Sequence, residues 1–327
     1  MFNIKITGTG SYLPDKVLTN SDLEKIVETS DEWITTRTGI KERHIAREDE
    51  ASSDLATKAA KKALDMAGAN AKEIDAVIVA TITPDNFFPA TACWLQKNLG
   101  IRTSVPAFDI SAACSGYLYG LIQSATLIET GVANKVLLCA SETLSRVTNW
   151  NDRSTCILFG DGAGCSVIEK SDGDSGLLSY VLGADGKLGK LLIQEGGGSR
   201  IPPTKESVEQ NLHTISMQGN EVFKHAVTKM KKAAVEAIKK ANLKGEDVDV
   251  YVPHQANIRI IEATIKRAGI PMDKTVVTID KTGNMSAATI PVGIDWAVKD
   301  GRLRRGGILL LSAFGGGFTW GAVTLRW

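Results

Sequence analysis

The sequence predicts an α/β protein built from two similar halves. Three observations carry this: short β-branched runs alternating with alanine-rich helical stretches, a weak internal repeat, and a length of 327 residues, enough to bury a large core. Strands are expected near 76–83, 135–140, 164–169, 248–252 and 308–312. Helices are expected near 53–67, 115–130, 222–241, 255–268 and 285–299. Strand–helix alternation of this kind implies buried, mostly parallel sheets.

The repeat appears in three places, in the same order. A helix end, an acidic turn and a strand follow one another before Val79 and again before Val252, with Asp75 and Asp249 in matching positions. Gly131 lies 17 positions after Cys114, and Gly301 lies 17 after Asn284; each interval reads as a helix followed by a strand. Finally, Phe159-Gly160-Asp161-Gly162 and Phe314-Gly315-Gly316-Gly317 both lead into strands. The boundary between the halves falls near 170–176, giving an N-terminal half of 1–172 and a C-terminal half of 173–327. Cys114 and Asn284 then occupy equivalent helix starts facing a common centre.

Composition excludes several function classes. Hydrophobic residues make up 43% and charged residues 23%, with a formal net charge of +1, so no overall field favours nucleic acid or an anionic membrane. The most apolar late stretch, 306–313, is far too short to span a bilayer, and the first residues lack the pattern of a signal peptide. Cysteines at 93, 114, 139, 156 and 165 form no C-x-x-C pair. That spacing suits neither a metal site nor a disulfide framework, and it points to a reducing cytoplasm.

Cys114 follows a short strand and opens a helix among small residues, Ser111-Ala112-Ala113-Cys114-Ser115-Gly116. A helix N-terminus favours thiolate over thiol, and its free N–H groups can hold a thioester oxygen as a tetrahedral intermediate forms. The other four cysteines sit in apolar surroundings and read as core residues. His254 lies at a strand end and Asn284 at a helix start. As isolated residues these read as a turn histidine and an N-cap. Beside Cys114, however, they suit one specific role. Two neutral N–H donors can stabilise the enolate left when a malonyl thioester loses CO2. Proton abstraction from carbon would instead need a base, and no cysteine follows residue 165 to supply one before the late glycine-rich loop.

With these residues in place, the chain resembles the β-ketoacyl-acyl carrier protein synthase III family. The motifs are Asp31-Glu32-Trp33-Ile34, Arg37-Thr38-Gly39-Ile40, Ala113-Cys114, Phe159 to Gly164, His254-Gln255-Ala256-Asn257, Gly283-Asn284 and Phe314 to Gly317. The resemblance implies a thiolase-like, five-layer α-β-α-β-α sandwich and a homodimer. It implies a ping-pong acyltransferase reaction without cofactor or metal, in which acyl-CoA, typically acetyl-CoA, acylates Cys114. Malonyl-acyl carrier protein then loses CO2 at His254 and Asn284, and its carbanion attacks the acyl-cysteine.

The resemblance further implies an acyl oxyanion hole from the N–H groups of Cys114 and Gly316, and an apolar wall from Phe314. Trp33 and Arg153 are expected to sandwich the CoA adenine, Arg37 to meet phosphate, and Gly219 and Asn257 to line the pantetheine tunnel. Lys224, Arg259, Lys266 and Arg267 make a docking patch for the acidic carrier protein. Phe87 and Phe88 belong to a loop that caps the acyl pocket across the dimer. A synthase of the same Cys–His–Asn type serving polyketide or quinolone assembly is barely separated by these motifs, whereas intact Cys114, His254 and Asn284 argue against a non-catalytic dimer partner.

Overall fold

In the computed structural model, which describes residues 2–327, the strands form two principal sheets. The first takes β1 (Ile4–Tyr12), β2 (Ala76–Ala80), β3 (Ala107–Ile110), β4 (Lys135–Thr143) and β5 (Asp161–Lys170), in the spatial order β1-β5-β4-β2-β3. The second takes β6 (Gly176–Ala184), β7 (Val250–Pro253), β8 (Ile308–Gly315) and β9 (Thr319–Arg326), in the order β7-β8-β9-β6. All strands of the first sheet precede residue 171, and all strands of the second follow it.

The expectation of mostly parallel sheets is corrected to mixed ones. Only β3/β2, β2/β4 and β7/β8 are parallel; β4/β5, β5/β1, β8/β9 and β9/β6 are antiparallel. The reason lies in the connections: β8 and β9 are joined by a short glycine-rich turn, which permits only an antiparallel return. From one edge to the other, β2-β4-β5-β1 repeats as β7-β8-β9-β6. The counterpart of β3 is reduced in the second sheet to one bridge between Tyr251 and Thr275.

The sequence echoes are visible in this geometry. The Asp75 carboxylate accepts the Lys135 N–H that starts β4 (3.1 Å), and the Asp249 carboxylate accepts the Ile308 N–H that starts β8 (2.7 Å). Each aspartate thus pins two neighbouring parallel strands.

Five layers result. Helices α2 (Ser52–Ala67) and α3 (Thr91–Leu99) cover the outer face of the first sheet, through Leu55, Leu64 and Leu95 against Val77, Val79 and Leu137. Helices α4 (Gly116–Glu129) and α7 (Thr289–Lys299) lie between the sheets, packed on Ile78 and Leu138 from one side and Val252 and Leu311 from the other. Helices α5 (Gly219–Lys240) and α6 (Ile258–Ala268) cover the outer face of the second sheet. Outside these layers, helix α1 (Asp31–Thr38) is capped by Ser30.

The central helices begin later than their sequence patterns imply. Each is preceded by a 3-10 turn, Ala113–Ser115 before α4 and Ser286–Ala288 before α7, so that α7 starts at residue 289 rather than 285. Ala113 (φ 45°) and Ser286 (φ 46°) are both left-handed at equivalent places. This corrects the alignment of the halves: Cys114 matches Ala287, and Asn284 lies one loop earlier. The equal 17-residue intervals arise because α4 has 14 residues and α7 only 11. Helix α6 likewise starts after residue 257, because Asn257 caps it by accepting the Arg259 N–H (2.9 Å).

The cysteine reading also changes. Cys139 and Cys165 are direct antiparallel partners with Cα atoms 4.0 Å apart, and they form a disulfide; Cys93, Cys114 and Cys156 are free. Both paired side chains point to the same face of the sheet, a consequence of strand register that spacing along the chain does not reveal.

Candidate active site

Cys114 sits in the 3-10 turn at the head of α4 and is nearly buried. The turn is tied down from the opposite half: Thr319 Oγ1 donates to the Ala112 carbonyl at 2.8 Å. Gly315 lies directly against it. A Cβ added at Gly315 would stand 2.6 Å from the Cys114 nitrogen and 2.8 Å from its Cβ, so only glycine fits there.

His254 continues β7, its N–H donating to the Ser312 carbonyl at 2.8 Å. Its neighbour Gln255 is buried and fully used: it donates to the Pro253 and Val276 carbonyls and accepts from the N–H groups of Thr278 and Ile279. That network fixes the loop holding the imidazole. The ring's Nδ1 lies 2.7 Å from Thr289 Oγ1, and burial lowers the imidazole pKa to about 3. The ring is therefore neutral near pH 7, as a non-titrating donor requires.

Asn284 is stitched into the other half of the molecule. Its N–H donates to the Leu158 carbonyl (2.8 Å), and its carbonyl accepts the Gly160 N–H (3.0 Å). Its side-chain oxygen accepts the Ser286 N–H at 2.9 Å, which orients the carboxamide and leaves Nδ2 to donate elsewhere. Asn284 is thus not a helix cap but the support of the strained Ser286 turn.

Cys114, His254, Asn284 and Phe314 line one cavity of about 110 Å3, and Gly219 and Asn257 line it too. Phe314 is buried against Phe318, ring centroids 4.8 Å apart. A second cavity of about 350 Å3 also meets Cys114, lined by Gly316 and Ser286 with Ile82, Leu144, Phe159, Leu192 and Ile215. The apolar lining of this second space was not read from the sequence, since its residues come from distant segments.

One expectation about the nucleophile is corrected. Burial pushes the Cys114 thiol up to about 12, and the nearby Glu142 carboxyl adds to that shift. The helix-start position therefore does not by itself produce a resting thiolate: desolvation outweighs it in this enclosed site.

The remaining residues fall in three places. Trp33 on α1 lies between two guanidinium groups, Arg37 at 4.7 Å and Arg153 at 4.8 Å from the ring centroid. This cluster is joined to the cavity, because Asn257 Nδ2 donates to the Arg37 carbonyl (3.0 Å). Lys224, Arg259, Lys266 and Arg267 are exposed on α5 and α6, which pack together; Lys224 is already paired with Glu221 at 2.7 Å. Phe87 and Phe88 project from the surface, 80% and 87% exposed. Sequence reasoning missed Thr289, Ser286, Gly315 and Glu142. Of these Glu142 carried a visible signal: a carboxylate two residues past the apolar run 136–140, where the strand continues buried.

Comparison with known proteins agrees with this picture. Residues 108–186 match the family 3-oxoacyl-[acyl-carrier-protein (ACP)] synthase III, and residues 238–327 match its C-terminal region. The chain is 52% identical over 322 residues to the β-ketoacyl-[acyl-carrier-protein] synthase III of Caldanaerobacter subterraneus, covering 98% of this chain and 97% of that one. It is 52% identical over 327 residues to the enzyme of the same name from Desulfitobacterium hafniense, covering 100% and 98%. Among solved structures, the 3-oxoacyl-[acyl-carrier-protein] synthase III of Aquifex aeolicus superposes with a TM-score of 0.92 at 48% identity, covering 99% and 100%. The priming β-ketosynthase of the R1128 polyketide pathway gives a TM-score of 0.91 at 34% identity, covering 98% and 96%.

A doubled, five-layer sandwich with a cysteine, a histidine and an asparagine around one cavity defines a condensing acyltransferase of the thiolase fold. Its relatives match it along nearly their whole length. The chain belongs to the β-ketoacyl-[acyl-carrier-protein] synthase III family.

Proposed function

We propose that the protein initiates fatty acid synthesis by condensing an acyl-CoA primer, acetyl-CoA, with malonyl-acyl carrier protein, giving a β-ketoacyl-acyl carrier protein, CO2 and CoA. The observation that carries this reading is the convergence of Cys114, His254, Asn284 and Phe314 on one cavity. Cys114 takes the acyl group, and the N–H groups of Cys114 and Gly316 hold its oxygen. The acyl chain enters the apolar 350 Å3 space that Cys114 also lines.

Thr289 Oγ1 accepts the Gln255 N–H at 3.4 Å and has one proton for two possible acceptors, the Ser286 carbonyl at 3.0 Å and His254 Nδ1 at 2.7 Å. The Ser286 carbonyl already accepts the Thr289 N–H. In our reading the hydroxyl proton goes to Nδ1, so the ring proton rests on Nε2 and donates to the enolate oxygen beside Asn284 Nδ2. Phe314 keeps the malonyl carboxylate in a dry environment, which favours loss of CO2. The carbanion comes from decarboxylation, so the reaction requires neither a metal nor an organic cofactor. Among the described residues no group of three potential metal ligands occurs, and no helix is long and apolar enough to cross a membrane.

The same proposal includes the finer assignments. The halves are 1–172 and 173–327, supported by the division of the sheets. Trp33 and Arg153 hold the adenine, Arg37 the phosphate, and Gly219 and Asn257 the pantetheine arm. The carrier protein docks on Lys224, Arg259, Lys266 and Arg267. A homodimer buries Phe87 and Phe88, whose exposure in one protomer supports that arrangement. The same reading places the protein in the cytoplasm.

The test separates the two half-reactions. Cys114→Ser is expected to abolish transfer of labelled acetyl from acetyl-CoA to the protein. Asn284→Ala is expected to retain that transfer and lose malonyl decarboxylation. If Asn284→Ala loses acetylation and keeps decarboxylation, the roles are wrong. A panel of acyl-CoAs in the same assay reads out the primer preference.

A further inference from the structure

Glu142 occupies the penultimate position of β4 and is fully buried. A carboxylate inside a buried strand is costly unless its oxygens are matched. Its Oε2 is matched: it accepts from Thr83 Oγ1 at 2.7 Å, the Ile82 N–H at 3.1 Å and Thr81 Oγ1 at 3.2 Å. Its Oε1 has no partner within hydrogen-bonding geometry, and the same holds for the buried Ser286 Oγ. These two orphans are neighbours of one another and of the nucleophile. The 286–288 turn packs on β4 and on the 113–115 turn, Ser286 and Cys114 line the same cavity, and the Ser286 hydroxyl lowers the proton affinity of both the thiol and the carboxyl. The left-handed backbone of Ser286, held by Asn284, is what aims its side chain between them.

We propose that Ser286 and Glu142 form a proton relay for Cys114. As acylation begins, the thiol proton passes to Ser286 Oγ while the Ser286 proton passes to Glu142 Oε1. The sulfur bonds to the thioester carbon, the thioester C–S bond breaks, and the CoA thiolate leaves. That thiolate takes a proton from solvent and Glu142 returns its own to solvent. The sum is one acyl-CoA and one thiol giving one acyl-cysteine and one CoA thiol. Glu142 reaches the sulfur only through Ser286, so it is a positioning residue; the inference rests on Cys114 being the nucleophile.

Charge explains why a relay is needed. Burial holds the thiol near 12, so an acceptor must be close, and desolvation lifts Glu142 to about 7, suited to proton exchange near neutrality. Transfer within the pair keeps one negative charge in the site throughout. Loss of the thiol proton to bulk water beside an ionised Glu142 would instead place two anions together. Few other charges face Glu142. Asp161 on β5 adjoins its pairing partner Gly162, but the Asp161 carboxylate turns to the N–H groups of Ala46 and Ser145. From α2's side, Glu50 is paired with Lys58; from α4, Tyr117 bonds Ser166; and Lys135 and Lys170 lie at the far strand ends.

The test is the single-turnover acetylation of Cys114, followed by intact mass from about pH 5 to about pH 9, in wild type, Glu142→Gln and Ser286→Ala. We expect the wild-type rate to rise through an inflection near pH 7, and both variants to lose that inflection and about 10²-fold in rate at neutral pH. An unchanged rate, or a uniform fall that keeps the inflection, overturns the relay. Should either variant fail to fold, alkylation of wild-type Cys114 by iodoacetamide decides instead: an inflection near pH 7 supports the relay, and one only at the thiol's own high pKa overturns it. A wild type that never carries acetyl on Cys114 refutes the nucleophile reading separately.

Discussion

Replacing Gly315 with alanine tests the packing that holds the nucleophile. The new Cβ would lie 2.6 Å from the Cys114 nitrogen, 2.8 Å from its Cβ and 3.1 Å from its Cα. Carbon contacts settle at about 3.5–4.0 Å, so roughly 1 Å of movement is required. Neither side yields easily: Gly315 ends β8 opposite Thr319, and the cysteine turn is tethered by Thr319 to Ala112. Overpacking of this kind costs about 1–3 kcal/mol of stability, and a shift of about 1 Å at the reacting atom costs roughly 10²-fold in rate. The next glycine is the control. At Gly316 the nearest atoms to an added Cβ are 3.6 Å away, ordinary contact. Gly316→Ala keeps its N–H and should acetylate Cys114 within a few-fold of wild type. Thermal unfolding and single-turnover acetylation of both variants, side by side, make the measurement. If Gly315→Ala matches wild type in both, or Gly316→Ala is the more damaging of the two, the packing argument is wrong.

Thr289→Val keeps the shape but leaves His254 Nδ1 buried without its partner, at a cost of about 1–3 kcal/mol; malonyl decarboxylation should fall while Cys114 acetylation persists, and Thr289→Ser should restore it. Equal decarboxylation by valine and serine variants would remove Thr289 from the mechanism. Glu142 has a folded pKa raised from 4.5 to about 7, so its stabilising contribution is complete below about pH 4.5 and is lost as pH rises through 7. That loss is about 3 kcal/mol, and Glu142→Gln should escape it; urea unfolding at acid and mildly alkaline pH should show the variant gaining on wild type, and a pH-independent difference would contradict the shift. Trp33→Ala should raise the KM for acyl-CoA by about tenfold or more, since stacking on a base is worth roughly 1–3 kcal/mol, while acetyl-pantetheine, which lacks the nucleotide, should react unchanged. A matching loss with both substrates would place the tryptophan elsewhere.

Much of this site was legible because its main residues stand at element ends, where local pattern speaks. Cys114 after a small-residue turn, His254 after a strand and Asn284 before a helix were all found from neighbours in the chain. The duplication was legible too, down to Asp75 and Asp249. Its register was not: Gly131 and Gly301 marked the helix ends correctly, but the shorter α7 shifted Asn284 out of line with Cys114. What stayed hidden is what only pairing across the fold creates. The disulfide depends on the β4/β5 register, and the apolar cavity gathers residues from Ile82 to Thr319. The thiol's high proton affinity depends on enclosure, against which a helix terminus counts for little.

The twin left-handed residues Ala113 and Ser286 also bear on how this enzyme could be engineered. Glycine adopts that backbone freely, so Ala113→Gly is an obvious route to a sturdier fold. Yet the strained hinge is where the sulfur hangs, and relaxing it would let that sulfur, the proposed nucleophile, wander. Heat tolerance should therefore be sought in the outer helices, and the knuckle between the two sheets left taut.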